Sequence, residues 1–437
     1  MKKQIKYVVL VVLVLSMLIT ACAPAATATP EVAATDSAIE ESVEATQVVE
    51  PVTIRIAEQF NDAESAKFEE IVAKFEEANP DIKVELERNN ESNFYDKLVT
   101  TIMGESAPDI ARVEPPKAAQ YIAAGYAANL DSYISSDLRD QFFEGTLTPL
   151  TKDGSLYGVP QDVSTLALFY RTDMFEQAGI ATPPATWEEL IADAEKLTDE
   201  ANGVYGISLF GGWGAFEFYP WFWQAGGEML TQDGDKITIT FNSPEGVEAL
   251  QLWVDLVEKY KVMPTGTATI GEDDVKGPFI AGQVAMFTSG AWTIASLKEN
   301  SDIEGKWAVA PLPAGKQSAS VLGGMDMIVL EQSQNKEQAA RFLAFLMQDD
   351  IQLDWAKTLG VLPIKQNLYA DAAFQSDPLI QAFSEQLKVA LTRPTIPQAG
   401  EVDDAFGKAV QAALSGAQTA QEALDEAAAT AQQAVEN

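Results

Sequence analysis

An α/β fold is what the sequence predicts, and three neighbouring stretches carry that prediction. Val52-Thr-Ile-Arg-Ile56 alternates apolar and polar residues, the two-residue period of a half-buried strand. Phe68, Ile71, Val72 and Phe75 then recur at the spacing of one helix face, and Asn79-Pro80 ends the run. Ile82-Lys-Val-Glu-Leu86 alternates again as a strand. Strand, helix and strand at this spacing make a βαβ unit, which implies a sheet covered by helices. With 437 residues, 47% of them apolar, and roughly 100–200 residues per domain, two or three units are expected.

Ahead of that unit, MKKQIKYVVLVVLVLSMLITAC opens with Lys2, Lys3 and Lys6, followed by an apolar run from Tyr7 to Ile19. The run is shorter than the ~20 residues that span a bilayer, so residues 1–21 read as a secretory signal. Leu18-Ile19-Thr20-Ala21-Cys22 resembles the lipobox of bacterial lipoproteins. That resemblance implies cleavage before Cys22 and acylation of its thiol and new amino group. Several acyl chains on one residue exceed what stable anchoring requires. A plain signal with an incidental cysteine is the alternative. Residues 23–50 are mostly Ala, Thr, Pro, Val and acids, without Lys, Arg or an aromatic ring. Such a segment cannot bury enough surface to offset its chain entropy, so residues 22–50 are expected to be a lipidated cysteine and a disordered tether. The chain would then sit on the outer face of the cytoplasmic membrane, touching it only through the anchor.

Further along, Thr186-Trp-Glu-Glu189 has the form of a capping box, with Pro183-Pro184 keeping the preceding chain extended. Asp233-Gly234 is a turn feeding the alternating Ile237, Ile239 and Phe241. Asp233 and Asp235 lack the remaining ligands of a calcium loop. Near the end, Phe406, Val410 and Leu414 form an apolar stripe closed by Ser415-Gly416, and Thr419 with Glu422 starts another helix.

Composition removes whole classes of function. The formal charge is −36, from 29 basic and 65 acidic residues, a field that repels nucleic acid and anionic lipid. There is no histidine and one cysteine, Cys22. Ser-His-Asp and Cys-His catalysis are excluded, as are imidazole or thiolate zinc sites and an internal disulfide. No cofactor motif is present: neither GxGxxG, nor a Walker loop, nor GxSxG.

Four blocks resemble the extracellular solute-binding proteins of ABC importers, in the sugar-binding family that includes maltose-binding proteins. They are Gly104-Glu-Ser-Ala-Pro-Asp-Ile110; the run YGVPQDVSTLALFYRTDMFEQAGIATPPATWEEL from Tyr157 to Leu190; Phe279-Ile-Ala-Gly-Gln-Val-Ala-Met286 with Ser289-Gly-Ala-Trp292; and PLPAG from Pro311 to Gly315 with Leu322-Gly-Gly324 and AARFLAFLM. The resemblance implies a two-lobe periplasmic-binding-protein-like fold of type II, with a ligand cleft between lobes joined by hinge crossovers. Its lobes would be residues 51–162 plus 322–378 and residues 163–321 plus 379–437. It implies a monomer that captures a mono- or oligosaccharide, closes by a hinge motion and delivers the sugar to ABC permease subunits.

Trp213-Gly-Ala-Phe-Glu-Phe-Tyr-Pro-Trp-Phe-Trp223 packs seven aromatic rings into eleven positions. Pro220 suits a helix start, so Trp221, Phe222 and Trp223 point in different directions and read as core. Trp213 and Phe216 precede that helix in a Gly-rich loop and read as ligand contacts, as does Trp292 by the resemblance. A flat ring suits the C–H face of a sugar, while carboxylates and amides suit its hydroxyls. Trp307 and Trp355 read as core. Polar candidates lie near strand ends: Glu58, Gln59, Glu114, Asp162 and Ser164, with Asp326 and Arg393 further on. Gly323 and Gly324 would let the backbone approach a ligand. A solvated or capping role is the alternative for each polar residue, and Asp109 reads as structural.

Two other readings compete. Acids beside rings could cage a cation such as a polyamine or quaternary ammonium. A glycosidase needs two carboxylates roughly 5–10 Å apart, and no spacing in the sequence singles out such a pair.

Overall fold

The expected βαβ unit opens the folded part of the chain. The main strands, in order, are β1 (Val52–Glu58), β2 (Ile82–Arg88), β3 (Ile110–Val113), β4 (Gly158–Ser164), β5 (Ala167–Arg171), β6 (Leu230–Asp233), β7 (Lys236–Ile239), β8 (Met286–Ser289), β9 (Trp307–Ala310), β10 (Ser320–Val329) and β11 (Ala390–Thr392). The computed structural model describes residues 50–89, 93–234 and 236–436. The signal segment, Cys22, the tether up to residue 49 and Asp235 therefore lie outside the described residues. Among the described residues no helix is long and apolar enough to cross a membrane.

Between β1 and β2 runs helix α1 (Asp62–Ala78). Asn61 accepts from the Glu64 amide and Glu64 accepts from the Asn61 amide, so two otherwise orphaned donors at the helix start are satisfied. Phe68, Ile71, Val72 and Phe75 are all buried. Each such side chain contributes roughly 1.5–3 kcal/mol relative to exposure, enough to fix the face the helix presents.

One sheet has the order β11-β10-β3-β1-β2, with β4 also paired to β10. β1 lies parallel to both β2 and β3, whereas β10 runs antiparallel to β3 and β4. A second sheet places β5 between β8 and β9, antiparallel to each. Two apolar cores result. The first gathers Ile54, Ile56, Phe68 and Phe342 around the larger sheet and extends to Phe169 and Phe287 on one face of the smaller one. The second holds Leu168 and Met286 from the opposite face together with Trp221, Trp253 and Phe406. Alternation along β5 and β8 thus sends neighbouring residues to different cores.

The turn at Asp233-Gly234 joins β6 and β7 as a hairpin, with Gly234 at φ +61°. Helix α2 (Pro115–Ala123) follows β3, and α3 (Trp187–Leu197) starts where Thr186 Oγ1 accepts from the Glu189 amide. Glu189 itself reaches the amide of Ala185 rather than that of Thr186, one residue beyond the expected box. Helix α4 (Tyr219–Gln224) has Pro220 in its first turn and buries Trp221, Phe222 and Trp223, as the sequence implies. Helix α5 (Glu272–Ile280) precedes β8. The chain closes with α6 (Ala399–Leu414) and α7 (Ala420–Glu436), separated by Gly416 at φ +71° and capped by the reciprocal Thr419–Glu422 bonds. Trp355 is buried, whereas Trp307 is half-buried and stacks 6.0 Å from Phe169. Asp109 is structural: it accepts from the Arg55 amide and from Ser333 and Asn335.

Candidate functional site

Strand directions bring the polar candidates together. β1 and β3 are parallel, and β4 is antiparallel to β10, which is antiparallel to β3. The C-terminal ends of β1, β3 and β4 therefore share one edge, the usual place for α/β binding sites. Glu58 ends β1, Glu114 follows β3, and Asp162 and Ser164 end β4.

Tyr95 ties the first two together, its hydroxyl accepting from Gln59 Nε2 and from the Glu114 amide, each at 3.2 Å. Glu58 is fully buried, with Oε2 on the Phe60 amide and Oε1 without a hydrogen-bond partner among the described residues. Burial raises its pKa, against the pull of Arg88 and Arg112. Arg112 is the hub of this edge. It donates to Gln161 at 2.6 Å and to Asp162 at 3.3 Å, and lies 4.3 Å above the Phe60 ring. Asp162 also accepts from the Met325 amide at 3.1 Å. Burial outweighs these partners and pushes its carboxyl up to about 6. Asp326 is buried, with Oδ2 lacking a hydrogen-bond partner among the described residues, and burial together with Asp162 drives its pKa well above the ordinary value.

Gly323 stands opposite Ser164 and Gly324 opposite Val163 in the β10–β4 ladder, just before a register shift at Met325/Asp326. Gly324 has φ +128°, which an L-residue rarely adopts. A narrow pocket lined by Pro115, Thr146, Asp162, Gly323, Gly324 and Asp326 opens beside this irregularity.

The three candidate rings form a row. Trp213 and Trp292 have centroids 6.1 Å apart, and Phe216 lies 6.4 Å from Trp292. Trp213 is 43% exposed, which leaves a face available to a ligand; Phe216 and Trp292 are half-buried. Phe216 connects the row to the polar edge, because a Cβ at Gly323 would lie 2.9 Å from its ring and 2.7 Å from Ser164 Oγ. Arg393 places its guanidinium over the same ring, 5.2 Å from the Phe216 centroid. Arg393 is buried and pairs with Glu114 and Asp403, each at 3.3 Å. Every one of the twelve candidates therefore falls on the edge of the larger sheet, on the ring row or on the bridge between them.

Several residues of this region were not among the candidates. Glu217 lies inside the aromatic run, is fully buried, and accepts from Thr288 Oγ1 at 2.5 Å. A lone acid among seven rings was the signal available for it. Arg112, Glu272 and Asp403 carry no such signal, since nothing in the sequence around them marks the partners that the fold gives them. A wider groove of about 470 Å³ lies between α6 and α7, lined by alanines with Lys408 and Glu426. It holds no aromatic ring and is separate from the site described. Among the described residues no group of acids is arranged to hold a metal ion.

A larger and a smaller sheet, with the polar edge of the larger one beside a row of rings, define a two-lobe α/β binding protein of the periplasmic-binding-protein type. The chain belongs to the bacterial extracellular solute-binding protein family, whose model matches residues 70–382. It is 30% identical over 368 residues, 83% of this chain and 88% of the other, to a provisionally named binding protein of Brucella abortus (strain 2308). The GacH receptor of Streptomyces glaucescens GLA.O, solved unliganded and with acarbose, superposes with TM-score 0.82 at 25% identity, covering 89% of this chain and 99% of that one. An ABC transporter solute-binding protein from Thermotoga lettingae TMO, bound with α-D-tagatose, gives TM-score 0.79 at 30% identity, covering 88% and 100%.

Proposed function

We propose that the chain captures a neutral sugar, mono- or oligosaccharide, in a cleft between two lobes and hands it to an ABC import permease. The observation that carries this reading is the row Trp213–Trp292–Phe216 set against carboxylates and glycines at one sheet edge. Rings take the C–H faces of a sugar, and charged acceptors take its hydroxyls. The sugars bound by the Streptomyces and Thermotoga proteins support it. The lobes are taken as residues 51–162 plus 322–378 and 163–321 plus 379–437, with ligand contacts from the twelve candidates. Anchoring through a lipidated Cys22 would hold the binder beside its permease, outside the cytoplasmic membrane, as a monomer without a cofactor.

A cationic ligand fits less well. Arg393 already covers one face of Phe216, and Arg112 already sits on the carboxylate edge. Both would repel an ammonium group.

Thermal unfolding with maltose, maltotriose, acarbose and α-D-tagatose tests the reading. A bound sugar at one hundred times its Kd should stabilise the chain by about 2.7 kcal/mol, with little dependence on salt. A flat response across a broad sugar panel, or a shift produced only by spermidine or choline and lost in salt, would sink it.

A further inference from the structure

Trp292 is pinned at both ends. Its indole N–H donates to Glu272 Oε2 at 2.7 Å, and the other carboxylate oxygen of Glu272 accepts from the Thr293 hydroxyl. Thr293 Oγ1 is in turn 2.7 Å from Ser289 Oγ. Glu272 is buried, and its two carboxylate oxygens accept from an indole and a hydroxyl. It is also the first residue of α5, where the helix dipole favours a negative charge. At the opposite edge of the indole, a Cβ on Gly290 would lie 1.8 Å from Cζ3 and 2.2 Å from Cε3 and Cη2. The six-membered ring therefore rests directly on the Gly290 backbone.

We propose that Glu272 and Gly290 are positioning residues that together fix the plane of Trp292, and so set how a sugar ring can lie on it. This rests on the sugar reading above. The indole has one donor, and Glu272 uses it; the ring has one edge packed on main chain, and Gly290 supplies it. With either support removed, the side chain regains rotamers that do not offer the same face to the cleft. A preorganised plate costs less entropy on binding than one that must be ordered by its ligand.

The test uses the full chain, near-UV circular dichroism without ligand, and titration with whichever of maltose, maltotriose, acarbose or α-D-tagatose binds most tightly. Glu272→Ala should alter the tryptophan dichroism and weaken binding by about tenfold or more, while Glu272→Gln, whose carbonyl still accepts the indole N–H, stays within about threefold. In a Trp292→Phe background, Glu272→Ala should add less than about twofold, because the contact it removes is already gone. An equal loss in both backgrounds means that Glu272 acts through the fold and overturns the proposal, as does an unchanged dichroism. Gly290→Ala is the independent variant. It should weaken binding in the wild type but not in Trp292→Ala, and unaltered affinity in the wild type also overturns the proposal. If no sugar binds the wild type while Glu272→Ala still changes the dichroism, the sugar reading fails and the clamp stands.

Discussion

Gly323 and Gly324 follow each other in β10, and alanine at the two positions should do harm for different reasons. At Gly323 the added Cβ would meet Ser164 Oγ at 2.7 Å and two carbons of the Phe216 ring at 2.9 Å. These are side-chain atoms, so the ring can give way, at the usual overpacking cost of roughly 1–3 kcal/mol. At Gly324 the Cβ would lie 2.2 Å from the Asp162 carbonyl oxygen, and φ is +128°. Main chain can yield there only by opening β4 from β10. Backbone strain of about 1–3 kcal/mol comes on top of that clash, for a total of about 3–5 kcal/mol. Urea unfolding of both variants, in wild type and in Phe216→Ala, separates the causes. Deleting the ring should recover most of the loss at Gly323 and none at Gly324. If the Gly323 loss persists undiminished without the ring, the contact assigned to Phe216 is wrong; if Phe216→Ala restores Gly324→Ala, the backbone origin is refuted.

Two further outcomes follow from the buried charges. The Asp162 carboxyl titrates near pH 6 in the folded chain against an ordinary value of 3.8, so the folded state holds this proton more tightly. Its contribution is fully present below about pH 4 and lost as pH rises through about 6, a change on the order of 3 kcal/mol; unfolding measured from pH 4 to 7 should lose this slope in Asp162→Asn, and an unchanged slope would count against the assignment. Arg393→Met removes the partner of Asp403 and Glu114, which should cost about 3–5 kcal/mol near neutral pH. Burial already raises the Asp403 carboxyl, and Arg393 is what holds it down, so the loss should shrink as the pH falls and the unpaired acid takes up a proton. A loss independent of pH would mean that packing, not charge, is what Arg393 supplies.

What was legible in the sequence was whatever depends on neighbours along the chain. The α1 face, its stop at Asn79-Pro80 and the caps at Thr186 and Thr419 are local matters of period and capping chemistry, and they stand where expected. The fate of the aromatic run was legible for the same reason. Successive residues on a helix diverge by about 100°, so Trp221, Phe222 and Trp223 could not share a ligand-facing side, and all three are buried. Ion-pair identity was not legible. Arg393 meets Glu114 across 279 positions, and Arg112 meets Asp162 across 50. Nothing in either stretch marks its partner, because register between β3, β10 and β4 decides which ends coincide. Of the adjacent acids Asp403 and Asp404, helix phase turns one toward Arg393 and the other to solvent.

The electrostatics of the site separates the two ligand classes more sharply than the overall charge does. A net charge of −36 would suggest a trap for cations. Yet long-range attraction from exposed acids is screened within about 10 Å at ordinary salt, so the groups within contact distance decide. There the two buried guanidiniums already take Asp162, Glu114 and Asp403 as partners. Glu58, Asp326 and Glu217 are pushed by burial toward the neutral form, in which a carboxyl can donate as well as accept. On the proposed reading, a ligand between Trp213, Trp292 and this edge would meet flat apolar rings, carboxyls pushed toward the neutral form and carboxylates already paired with arginine. On that reading, hydroxyls on a ring with C–H faces would answer that combination. An ammonium group seeking Asp162, Glu114 or Asp403 would have to displace an arginine.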